Sequence, residues 1–147
     1  MDEGNRTAIR QSEIESWMAE GVVEYLGTAD DVRPFIASAS VVVLPSYREG
    51  LPRSLLEASA MARPLIATDV PGCHDVVVDG LNGYLCAVRD AGSLAEAMRR
   101  LAQLPRAQRV AMGEAGRKRV QERFSEALVV RAYLDVLAGL DAAKPGS

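Results

Sequence analysis

The chain has 147 residues, 48% hydrophobic and 25% charged, with a formal net charge of -3, the balance of an ordinary globular protein of one domain and not of a disordered or fibrous one. Net acidity with dispersed Lys and Arg gives no electrostatic footprint for nucleic acid. Cys73, Cys86 and the single His74 supply neither a metal-ligand set nor a disulfide framework, and the longest apolar run, "SVVVLP", is only strand-sized, so a soluble cytoplasmic chain without metal or cofactor is expected.

In chain order, "SEIESWMAEG" opens with a capping box, Ser12 with Glu15 three residues on, and Ile14, Trp17 and Met18 recur at helical spacing until Gly21. The segment 22–27, "VVEYLG", reads as a short strand. Asp30 can cap a second helix that tolerates Pro34 in its first turn and turns Val32, Phe35, Ile36 and Ala39 inward. The run 41–45, "VVVLP", is apolar on both faces, as suits a central parallel strand. A helix over about 52–62 and a strand over 64–68 follow. After them come a turn-rich loop and a strand beginning after the Asn82-Gly83 turn signal. From Ser93 the pattern is helical. Ser93 and Glu96 read as a second capping box, ahead of an apolar stripe at 94, 98, 101 and 104. Helices over about 105–124 and 125–140 precede a loose tail at 141–147. The alternation predicts an α/β fold, a Rossmann-like parallel sheet with flanking helices, ending in a helical C-terminal segment.

The stretch 46–69, "SYREGLPRSLLEASAMARPLIATD", carries the chemistry. If a helix begins near Pro52, its free N–H groups fall around Arg53 to Leu55, at the carboxyl end of the preceding strand. Unpaired N–H groups and the helix dipole favour a phosphate there, and open α/β sheets bind ligands at that edge. Gly50 allows close backbone approach. Glu57, in the second turn, and Glu49, in the loop before the helix, can accept hydroxyl hydrogen bonds on either side of a diphosphate. The pattern points to a sugar nucleotide. The plainer alternative is that either glutamate serves the helix dipole or pairs with Arg53.

The segment 25–85, with "LPS..EG.P..LLEA.A...P.IATDVPG" at its centre and "DG.NG.L" after it, resembles the second domain of retaining GT-B glycosyltransferases of family 4. The resemblance spans about 22–133, and Glu49 and Glu57 match that family's E-x7-E motif. It implies that residues 1–140 are the donor-binding, C-terminal half of a GT-B fold, with the opening part of that half and the acceptor-binding first domain missing. It further implies that Glu57 holds the ribose hydroxyls, that Glu49 lies near the transferred sugar as the catalytic position, and that Gly50, Leu51, Arg53 and Ser54 face the diphosphate or sugar. Thr28, beside Gly27, would border the base.

The implied reaction transfers an N-acetylhexosamine from a UDP-sugar, with retention and without a metal, to a glycan or polyprenyl-linked acceptor held by the first domain. It would serve bacterial surface-polysaccharide synthesis at the inner membrane face. Pro52 stands where the family often has Gly, which removes one backbone donor from the loop. A non-catalytic nucleotide-sugar-binding module is the competing reading. His74 and the two cysteines read as loop-stabilising and packing residues, and the basic run 117–123 as a solvated helix face. The broad apolar surface of "SEALVVRAYLDVL" predicts self-association as a homodimer, through that helix or an open sheet edge.

Overall fold

The computed structural model describes residues 9–125, 127–128, 130–131 and 133–135, and divides into two compact units, Met1–Val32 and Arg33–Ser147. In the first unit, helix α1 (Gln11–Ala19) starts one residue before the expected Ser12. The carboxylate of Glu13 reaches back to accept the backbone N–H of Arg10 at 3.0 Å, which makes Arg10 the residue before the helix. Ser12 and Glu15 lie inside the first turns, and Glu15 accepts instead from the Gln11 side chain at 2.9 Å. The strand expected at 22–27 does not form: 23–29 has no regular structure, and Val22, Val23, Tyr25 and Leu26 are exposed. β-branched and aromatic residues favour a strand only where a neighbour completes the ladder, and none pairs with this segment among the described residues.

The second unit carries the alternation that the sequence predicts. Helix α2 (Arg33–Ser38) keeps Pro34 in its first turn, but of its expected apolar face Ile36 is buried and Phe35 is exposed. Strands β1 (Val42–Leu44), β2 (Leu65–Thr68) and β3 (Gly83–Cys86) form a parallel sheet in the order β1-β2-β3, with Val42 opposite Leu65 and Leu65 opposite Gly83. The central strand is therefore β2. It is buried along its whole length, while β1, expected at the centre, is half-buried at one edge of the described sheet.

Helix α3 (Arg53–Ala60) connects β1 to β2, and α4 (Pro71–Val76) lies between β2 and β3, where the sequence predicted only a loop. "PG" reads as a turn, yet Pro71 at a first helical position is preorganised for a helix. Helix α5 (Ala91–Gln103) starts ahead of the expected Ser93, because the Asp90 side chain accepts the Ser93 N–H at 2.9 Å. Helix α6 (Arg106–Arg123) follows. Beyond it, 127–128, 130–131 and 133–135 are helical, and Val129, Val136 and Leu137 of the expected apolar surface lie outside the described residues, as does the tail. Among the described residues no helix is long and apolar enough to cross a membrane.

Alternation along β2 builds two cores. Leu65 and Ala67 face Leu55 and Ala58 of α3 and Cys73 and Val76 of α4. Ile66 faces the opposite side, with Tyr84 and Cys86 of β3, Ala97 and Leu101 of α5 and Met112 of α6. Buried Asn82 closes the approach to β3: its amide donates to the Val76 carbonyl at 2.9 Å, and its oxygen accepts the Val78 N–H at 2.7 Å.

Helices α3 and α6 cross closely. A Cβ at Gly113 would stand 2.1 Å from the carbonyl oxygen of Ala62, so α6 can approach the end of α3 only with glycine there. Ala62 itself turns the chain out of α3 with φ of 55°, a left-handed conformation that glycine adopts more readily. Two substitutions one contact apart should therefore act in opposite directions. Gly113→Ala is expected to lower unfolding free energy by about 1 to 3 kcal/mol, the usual scale of overpacking, and Ala62→Gly to raise it by about 1 kcal/mol by relieving the left-handed strain. Urea denaturation of the two variants against the parent checks both signs.

Candidate functional site

The loops at the carboxyl ends of the three strands, 45–52, 69–70 and 87–90, gather at one edge of the sheet. The first of them is held from below. The Thr68 hydroxyl, at the end of β2, donates to the Ser46 carbonyl. A Cβ on Gly72 would lie 1.7 Å from the carbonyl oxygen of Gly50 and 2.7 Å from that of Glu49, so the backbone of Glu49 and Gly50 rests directly on the start of α4. From the side, the Arg89 guanidinium stacks over the Tyr47 ring at 5.2 Å, tying the loop after β3 to the loop after β1. Loop 45–52 is thereby fixed at both its backbone and its tip.

That loop delivers the chain into α3. Pro52 is buried and stands just before the helix, one position earlier than expected, and Arg53 is its first residue. The first helical hydrogen bond from the loop side runs from the Leu56 N–H to the Pro52 carbonyl at 3.2 Å. The N–H groups of Arg53, Ser54 and Leu55 precede it, no side chain caps them, and the first turn has no acidic residue. This end of α3 presents donors and the positive end of a dipole to the sheet edge, a setting that suits an anion. The opposite face of the helix buries Leu55, Ala58 and Ser59, which fixes its rotation.

Six of the seven sequence-predicted residues fall on this one run. Glu49, Gly50 and Leu51 are in the loop, Arg53 and Ser54 open the helix, and Glu57 lies in its second turn, exposed. Glu49 is half-buried, close enough for its charge to act on the Cys73 thiol. Neither glutamate forms an ion pair with Arg53 or with any other described residue. Both carboxylates keep their acceptor capacity, which removes the dipole-and-pairing explanation for Glu57 in its ion-pair form. Thr28 belongs to the N-terminal unit, in the irregular segment after Gly27.

Sequence reasoning missed the supports: Thr68, Gly72 and the Tyr47–Arg89 stack. A glycine directly after a proline, four residues beyond a strand, was the available signal for Gly72. His74 sits on α4, where its imidazole meets the Asp69 carboxylate. Burial pushes the Cys73 thiol up, and the Glu49 carboxylate adds to the effect. Burial also raises Cys86, with Asp90 contributing. Both are neutral packing groups at neutral pH, on opposite sides of the sheet. Among the described residues no group of three or more His, Cys, Asp or Glu could hold a metal ion.

The seat of the loop on α4 is testable. Gly72→Ala is expected to cost at least about 2 kcal/mol of stability, since the obstructing atoms are backbone and cannot rotate away. It should also shift the amide resonances of Glu49, Gly50 and Leu51. Urea unfolding with amide NMR checks both, and an unperturbed loop would contradict the seat.

Comparison with known proteins adds a second line. The family described as Glycosyl transferases group 1 matches residues 3–103. The chain is 32% identical over 118 residues to the lipopolysaccharide core biosynthesis glycosyltransferase LpsE of Rhizobium meliloti, covering 80% of this chain. It spans about a third of the length of such relatives, 34% of LpsE and 35% of EpsD of Bacillus subtilis, to which it is 35% identical over 134 residues. Among solved structures, sucrose-phosphate synthase from Thermosynechococcus elongatus superposes with a TM-score of 0.80 at 29% identity, over 90% of this chain and 34% of that one. A variant of S. aureus TarM, in complex with fondaparinux, alpha-GlcNAc-glycerol and UDP, superposes with a TM-score of 0.76 at 25% identity, over 84% of this chain and 25% of that one.

Proposed function

The chain belongs to the glycosyl transferases group 1 family, and from that premise we propose that it is the donor-binding part of a glycosyltransferase that moves an N-acetylhexosamine from a UDP-sugar, with retention, to a glycan or lipid-linked acceptor in bacterial surface-polysaccharide synthesis. The observation that carries this reading is the uncapped start of α3 between two unpaired carboxylates, Glu49 and Glu57, at the carboxyl edge of a parallel sheet. Support for the UDP and N-acetylhexosamine elements comes from the TarM variant, whose complex contains UDP and alpha-GlcNAc-glycerol, and support for the polysaccharide setting from LpsE.

In this reading the N–H groups of Arg53 and Ser54 take the diphosphate, charge-assisted by the helix dipole. Gly50 and Leu51 let the loop backbone lie close to the donor. Glu57 accepts from the ribose hydroxyls, and Glu49 from the transferred sugar on the other side. As the sugar–phosphate bond lengthens, negative charge collects on the leaving diphosphate, and fixed donors at the helix start stabilise that charge without reorganising. The acceptor is bound by a separate N-terminal domain of the enzyme, which works in the cytoplasm at the inner membrane face.

Glu57→Ala is expected to weaken UDP binding by about 1 to 3 kcal/mol, the scale for removing a charged hydrogen-bond partner. Calorimetry with UDP on both proteins checks this, and equal affinities would overturn the assignment of Glu57.

Self-association is part of the same proposal. Leu128, Val130, Tyr133 and Leu134 are all more than 40% exposed on the final helical stretch, an apolar surface of the kind that invites pairing. Light scattering is expected to give a dimer that Val130→Glu shifts toward monomer, and a concentration-independent monomer would refute it.

A further inference from the structure

The strands begin at the opposite end of the sheet from Glu49 and Glu57, and that end carries a second concavity. A pocket of about 190 Å³ is lined by Ser40, just before β1, by Arg63 and Pro64, just before β2, and by Arg106, Arg109 and Val110 of the first turns of α6. Three arginines thus line one small cavity. Among the described residues none of them forms an ion pair.

Their existing hydrogen bonds leave most of their donors free. Arg63 Nη1 donates to the Ala39 carbonyl at 3.3 Å, and Arg109 Nη1 to the Ala102 carbonyl at 3.1 Å, while Arg63 Nε is buried without any acceptor. An orphaned, buried N–H on a charged group is an unfavourable arrangement unless something accepts from it.

The helix adds a second, independent term. Arg106 is the first residue of α6, whose start has no side-chain cap and no acidic residue in its first turn. The first helical bonds, from the Gln108 and Arg109 N–H groups to the Pro105 carbonyl, leave the N–H groups of Arg106 and Ala107 ahead of them. Helix ends of this polarity favour negative charge, yet Arg106 and Arg109 place two cations there. Three unpaired guanidiniums, an orphaned Nε and an uncapped positive helix end are all answered by one kind of occupant.

We propose that this pocket binds an oxyanion of phosphate size, a phosphate or phosphate monoester, through Arg63, Arg106 and Arg109, with the start of α6 and the Ser40 hydroxyl beside it. Guanidinium forks suit the geometry of such an anion. The site is separate from the one assigned to the sugar nucleotide and does not depend on that assignment.

Titrating the full chain, labelled with ¹⁵N, with inorganic phosphate is expected to shift the amides of Arg106 and Ala107 saturably. Arg106→Gln, at an exposed position with no side-chain hydrogen bond to lose, should weaken the binding about tenfold, as loss of a charged partner does, while leaving UDP affinity unchanged. Vesicles of phosphatidylcholine with and without phosphatidic acid then distinguish the sources. Sedimentation with the acidic vesicles, lost in Arg106→Gln, assigns the phosphate to a lipid headgroup; phosphate binding without sedimentation assigns it to a soluble monoester. If phosphate leaves the Arg106 and Ala107 amides of the parent chain unmoved, the proposal is wrong whatever the variant does.

Discussion

The carbonyl of Gly50 occupies the place where any side chain at position 72 would be, and the geometry of the candidate site follows from that contact. Two backbones can approach so closely only when one of them has no Cβ. With the loop seated on α4, Glu49 is held half-buried, and the Thr68 hydroxyl fixes Ser46 at the loop's start. The chain then has little choice of direction as it passes through buried Pro52 into α3. A carboxylate and a row of free N–H groups arrive at one sheet edge because a glycine four residues beyond β2 leaves space for them.

Helix α3 works at both ends and on both sides. Its buried face, Leu55, Ala58 and Ser59, is pressed against β2 and against α6, so its axis cannot tilt without opening a core. Its start is left uncapped, which would normally cost about 1 kcal/mol relative to a good capping residue. Within a helix of 8 residues that is a substantial concession. It is consistent with donors held in reserve for a ligand, and packing against the sheet supplies the stability that a cap would otherwise contribute.

Local chemistry explains which parts of this could be read from residue order. The alternation of apolar runs and helical stripes disclosed β1, α3, β2 and β3, and the turn from Gly50 to Pro52 disclosed the free N–H groups of Arg53 to Leu55. The failures of strand and helix placement share one cause. Whether 22–27 pairs as a strand, whether β1 lies at the centre or the edge, and whether Gly72 opens a helix all depend on neighbours distant in sequence. Capping was misread for a narrower reason. Several Ser, Asp and Glu residues stand within reach of each helix start, and only geometry shows that Glu13 and Asp90 take the N–H groups. The supports of loop 45–52 were the least legible: Thr68 and Arg89 act through a backbone carbonyl and a ring face, which leave no pattern in the sequence, and Gly72 shows only as the glycine of a Pro-Gly pair.

The register of the sheet has a kinetic corollary. Val42 pairs with Leu65 and Leu65 with Gly83, so each parallel pairing must close a connection with a helix inside it before any ladder bond forms. Such non-local closures are slow relative to helix formation. Helix α3 can form early on its own local contacts, but the loop before it finds its seat only after β2 and α4 have docked. This edge thus acquires its shape only once α4 has docked, and loses it when α4 separates from the sheet. A ligand bound there would act as a clasp on the final step of assembly, slowing unfolding more than it hastens folding.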